Sequence, residues 1–156
     1  MKMILNNNYS YRPDEERLSR IEKIWGVRLP EEIRILLMED NGGVPEKRNF
    51  PCGKRTRMIV RFLCIKEKGT DEDYAWYDIN VVLTQLEERI ISDPDLVGYE
   101  IIPIAELFAG DYLCLDYRES DTPTVCVWLH EESEEWNPVT EKVADSFSEF
   151  MDMLSE

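Results

Sequence analysis

Histidine is almost missing from this chain of 156 residues, occurring once, at His130. The four cysteines, Cys52, Cys64, Cys114 and Cys126, lie 12, 50 and 12 positions apart and form no Cys-x-x-Cys. Zinc needs several such ligands at close spacing, so no metal site is expected and no cofactor is implied. Also lacking are a glycine-rich phosphate loop, Gly-x-Ser-x-Gly and His-Glu-x-x-His, the patterns that carry phosphate binding, acyl transfer and zinc-assisted hydrolysis. His130 precedes Glu131, but neighbours on a strand point to opposite faces and cannot act as a base and its orienting carboxylate. Hydrogen bonding at the hairpin turn accounts for Asp111 and Asp116 as well as acid–base work does. The chain reads as a non-enzyme.

No apolar run approaches the ~18 residues of a membrane span, and no basic segment followed by an apolar stretch opens the chain. A cytoplasmic location is therefore expected. In that reducing setting the cysteines should remain small buried thiols, with no disulfide.

Positive charge is scarce in the second half. Residues 1–68 hold 15 Lys or Arg and 10 Asp or Glu, whereas residues 69–156 hold 3 and 23, for a net charge of −15 over the chain. Such a field repels nucleic acid and anionic lipid and attracts a cationic partner.

What the sequence does contain is organised around residues 110–130. Leu113, Leu115 and Tyr117 alternate with Tyr112, Cys114 and Asp116; Val125, Val127 and Leu129 alternate with Cys126, Trp128 and His130. Folding about Ser120 sets Leu115 against Val125 and Leu113 against Val127, giving one aliphatic face, and sets Tyr112 against Trp128 on the other. Phe147, Phe150, Met151 and Leu154 form a helical stripe that would cover the aliphatic face. Ser146 and Glu149 have capping-box spacing ahead of that stripe.

Earlier in the chain, residues 1–13 read as a polar arm and 14–156 as one domain. A helix from Asp14 to Gly26 carries Leu18, Ile21 and Trp25, and a second opens at Pro30 and ends in Asn41-Gly42-Gly43. Residues 44–57 are expected to form a loop or edge hairpin with Lys47, Arg48, Lys54, Arg55 and Arg57, and Met58–Ile65 a strand. Thr70–Asp78 mixes carboxylates with three large aromatics and fits no period, so it reads as a loop. Ile79, Leu83, Leu86 and Ile90 mark a third helix before Asp93-Pro94. A strand is expected over Tyr99–Ile104, with Pro103 at its end or on an edge, followed by a helical turn over Ala105–Ala109. After His130 an acidic loop leads to the last helix. The resulting class is α+β, a single domain with an antiparallel sheet and helices packed against one face.

Several segments together carry a family resemblance. Leu29-Pro30 opens a short helix that closes in Asn41-Gly42-Gly43 with Pro45 just beyond. Ile102-Pro103-Ile104-Ala105, Gly110-Asp111 leading to Leu115-Asp116, Val127-Trp128-Leu129-His130 and the run Ala144 to Phe150 follow in order. In this the chain resembles the SUKH superfamily, which includes fungal cell-wall-synthesis regulators of the Smi/Knr type and bacterial immunity proteins. The resemblance implies the same α+β fold, no enzyme activity, and direct binding to a cognate polymorphic toxin domain, often a nuclease. Its alternative is a non-catalytic interaction module in a regulatory pathway, for the cell wall or signalling. Toxin-contacting residues vary in that group, so the candidate surface is read from this chain alone. Aromatics in acidic loops supply interface anchors, with charges at the rim. The candidates are Asp71, Glu72, Asp73, Tyr74, Trp76 and Tyr77 in one loop, and Glu131, Glu132, Glu134, Glu135 and Trp136 in another. The expected partner is a cationic protein.

Overall fold

The computed structural model describes residues 1–5, 10–69 and 75–156. Helix α1, Glu15–Trp25, begins where the Asp14 carboxylate accepts from the Arg17 N–H and ends at Gly26 in the left-handed conformation. Helix α2, Glu31–Glu39, starts directly after Pro30, whose missing amide costs nothing at a helix start. Strand β1, Met3–Leu5, pairs with the two-residue β2, Val44–Pro45, as a small separate sheet. The main sheet is antiparallel and runs in chain order: β3, Asn49–Cys52; β4, Arg55–Phe62; β5, Ile101–Leu107; β6, Tyr112–Asp116; β7, Thr124–Trp128; and β8, Thr140–Ala144. Helix α3, Ile79–Ile90, lies between β4 and β5 in sequence, and α4, Phe147–Met153, follows β8. The molecule is a single α+β domain with helices packed against the sheet.

The central hairpin has the expected register, with Leu115 opposite Val125, Leu113 opposite Val127, and Tyr112 opposite Trp128. Leu113, Leu115, Val125 and Val127 share one core with Phe147 and Phe150 of α4 and with the buried stripes of α1 and α2. Phe150 sits edge-on to Phe50 at 5.1 Å and against Phe147 at 5.8 Å between ring centres. Ser146 Oγ accepts from the Glu149 N–H at 3.1 Å, which fixes the start of α4.

The sheet's other face is covered as well. Ile90, at the end of α3, packs with Ile101, Cys114, Cys126 and Trp128 in a smaller core. All four thiols are free and buried. Burial pushes Cys52 up to about 11 and Cys126 up to about 12, which leaves them as unreactive thiols at neutral pH.

Several boundaries differ from the sequence reading. Strand β4 spans Arg55–Phe62 rather than Met58–Ile65, because its first residues pair with β3 in the edge hairpin. Residues Ala105–Leu107 continue β5 instead of forming a helical turn, and β5 is internal. Pro103 is neither terminal nor on an edge: the register shifts between Pro103 and Ala105, and a bulge of this kind accommodates a residue that cannot donate to the ladder. Strand β8, absent from the sequence reading, is an edge strand with Glu141 and Lys142 in its middle, and charge of that sort hides a strand from a hydrophobic pattern.

The Asn41-Gly42 junction ties α2 to the sheet. Asn41 is fully buried; its side-chain amide donates to the carbonyls of Tyr11 and Ile65, and its side-chain oxygen accepts from the Ile65 N–H. At Gly42, with φ 90°, a β-carbon would stand 2.7 Å from the carbonyl oxygens of both Phe62 and Leu63. Only glycine fits there.

Candidate protein-binding surface

Helix α3 has Trp76 and Tyr77 just before its start and the acidic loop fastened at its other end. At its start Asp78 is buried and bridges two backbones, Oδ1 accepting from Lys66 N–H at 2.9 Å and Oδ2 from Val81 N–H at 3.0 Å. The turn before it, Ala75–Tyr77, places Trp76 in solvent, with 70% of its surface exposed. Tyr77 is half-buried against the core, and the Arg61 guanidinium lies 4.3 Å over its ring. Tyr77 therefore serves packing. Asp71, Glu72, Asp73 and Tyr74 lie outside the described residues.

At the other end, Arg89 fastens the acidic loop. Its Nε donates to the Ser133 carbonyl at 3.2 Å, its Nη2 donates to the His130 carbonyl, and its guanidinium sits 5.1 Å from the Trp128 ring. Trp128 Nε1 donates in return to the Arg89 carbonyl at 3.0 Å. The loop closes on itself through Glu134 and Asn137, whose backbones exchange hydrogen bonds at 3.1 and 3.0 Å, and Ser133 Oγ accepts from Val139 N–H. Trp136 occupies the left-handed region at φ 57°, a conformation that costs a side-chain-bearing residue about 1–2 kcal/mol, while its N–H donates to the Glu88 carbonyl at 2.7 Å. Glu131, Glu132, Glu134 and Glu135 are all exposed on this braced loop.

Among the described residues, Trp76 and the acidic loop do not form one patch. The 12 residues of α3 separate Trp76 from the acidic loop by about 18 Å of helix. Local sequence gives no sign of this, since it depends on the long-range bonds from Arg89 and Trp136.

His130 has a partner that the sequence reading passed over. Asp111 Oδ1 accepts from the His130 backbone N–H at 2.9 Å and lies 2.6 Å from ring Nδ1, while Oδ2 accepts from Arg57 at 2.7 Å. Glu131 is 3.9 Å from Nε2. Burial alone would raise the Asp111 carboxyl, but the His130 N–H, the Arg57 guanidinium and the His130 ring outweigh it and hold the group below the ordinary carboxylate range. The cluster clasps the start of β6 to the end of β7 and to β4, beside a cleft of about 390 Å³ that also holds the exposed Phe108. Arg57 is thereby removed from the basic loop as a free cation, and Arg48 is turned to the Ile59 carbonyl.

The apolar residues Ile24 and Val97 also escaped the sequence reading, although both are exposed. Ile24 follows Ile21 by three positions beside the α1 stripe, a position that periodicity alone would have flagged.

Among the described residues no group of three or more His, Cys, Asp or Glu could hold a metal, and no helix is long and apolar enough to cross a membrane. Neither a curated protein nor a solved structure matches the chain. The sequence model of one family, SUKH_6, described as SMI1-KNR4 cell-wall, matches residues 15–151, which takes in α1, α2, α3, the whole main sheet and most of α4. By that match, over most of its length, the chain belongs to the SUKH_6 family.

Proposed function

We propose that this chain is an immunity protein that binds a cationic toxin domain and neutralises it by occlusion, without a catalytic step of its own. The observation that carries this reading is the acidic loop after β7. Four exposed glutamates and Trp136 stand on a segment braced by Arg89, Ser133 and Glu88. A loop already held in one conformation loses little entropy on binding, and concentrated negative charge accelerates encounter with a basic surface. The net charge of −15 supports the same choice of partner. Co-expression with a cationic toxin domain that the chain captures in a pull-down tests the proposal: the chain should restore growth and co-purify with the toxin. Growth arrest in the presence of folded, abundant chain would overturn it.

The family description, SMI1-KNR4 cell-wall, favours a second reading as an interaction module in a regulatory pathway. Such a module would leave toxin-arrested growth unchanged.

A further inference from the structure

Three segments remote in sequence meet around the C-terminal end of α3 and enclose a groove of about 440 Å³. Its apolar lining comes from Ile24 of α1, Ile91, Leu96 and Tyr99 of the following loop, and Trp136. Ile24 is 69% exposed and Trp136 37%, while Val97, next to Leu96 but lining the neighbouring trough, is 91% exposed. Large apolar side chains gathered in solvent are costly to maintain and mark contact surfaces.

The groove is held open by its own backbone. Tyr99 N–H donates to the Trp25 carbonyl at 2.8 Å, and Trp136 N–H to that of Glu88 at 2.7 Å. Gly98 makes the first of these possible: at φ 90° it lies so close to α1 that a β-carbon would stand 2.3 Å from the Trp25 oxygen.

Charge identifies the occupant. Glu87 and Glu88 line the groove, Glu134 and Glu135 adjoin Trp136, and Asp93 and Asp95 lie on the loop that carries Leu96. The negative end of the α3 dipole points the same way. Arg89 is committed to the acidic loop and to Trp128, and Lys23 borders the neighbouring trough instead.

We infer that this groove receives a basic polypeptide segment, which inserts one large apolar side chain between Ile24, Leu96 and Trp136 and sets its Lys or Arg residues against the acidic rim. This rests on the reading of the chain as a binder of a cationic protein and places the contact at one end of α3.

The test uses the isotope-labelled full chain and two synthetic amphipathic helices, one of leucine and lysine, the other with glutamine for each lysine. The leucine–lysine helix should shift the NMR signals of Ile24, Leu96 and the Trp136 indole before others, and the glutamine helix should bind at least about tenfold more weakly. Ile24→Ser, at an exposed position on the groove, should weaken the leucine–lysine helix by about tenfold with an unchanged melting temperature. Shifts centred on Trp76 or Phe108, equal binding of both helices, an unaffected Ile24→Ser variant, or self-association of the chain through the groove would each overturn the inference. Because no toxin is used, failure here leaves the co-expression result standing on its own.

Discussion

Asp111 grips His130 twice through one carboxylate oxygen, accepting from its backbone N–H at 2.9 Å and lying 2.6 Å from its ring Nδ1. The sequence placed Glu131 beside this histidine; the fold gives it a partner 19 positions away.

Asp111→Asn should lower stability at neutral pH by about 3 kcal/mol, since it leaves the buried Arg57 without its counter-charge. Because the folded carboxyl is held below its ordinary range, its contribution is complete above about pH 4 and is lost as pH falls through the depressed folded value. The difference between wild type and variant should therefore shrink with acid. Denaturant titrations at several pH values check this; a constant difference would contradict it.

Phe150→Ala should cost about 3–5 kcal/mol, the range for emptying a packed aromatic site, because Phe150 is 0% exposed between Phe50 and Phe147. A loss below about 1 kcal/mol in urea titration would contradict the packing of α4 on the hairpin.

Gly42→Ala should destabilise by at least about 2 kcal/mol, combining a left-handed backbone with contacts of 2.7 Å to two carbonyl oxygens. Thermal melts that overlay the wild type would contradict this.

Trp76→Ala should leave the unfolding midpoint unchanged within about 0.5 kcal/mol, as expected of a side chain that is 70% exposed. Trp136→Ala should leave the fold intact while weakening toxin binding by about 2 kcal/mol or more. Calorimetric titration of both variants with the toxin domain separates the two ends of α3. Loss of affinity in Trp76→Ala alone would move the contact to the start of the helix.

Much of this architecture was legible because its determinants are local. The alternation in residues 112–128 specifies both faces of the hairpin and its register, and Asp14 and Gly26 carry the chemistry of the two ends of α1. Strand β8 was illegible because Glu141 and Lys142 interrupt its pattern and its pairing partner, β7, supplies the order. Pro103 misled because a bulge, a property of the pair β5–β6, absorbs its missing donor. For the surface, the exposed glutamates and Trp136 were visible as composition. Their union with Ile24 and Leu96 depends on backbone bonds from Trp136 to Glu88 and from Tyr99 to Trp25, which no local pattern encodes.

Association kinetics with a cationic toxin domain that the chain captures, followed by stopped flow across a salt series, test most directly whether the acidic face binds a cationic partner. Screening acts over a Debye length of about 8–10 Å, so rising salt should slow association steeply while changing dissociation little. Converting Glu131, Glu132, Glu134 and Glu135 to Gln together should flatten that dependence. An association rate indifferent to salt, or equally steep in the glutamine variant, would contradict docking through this face.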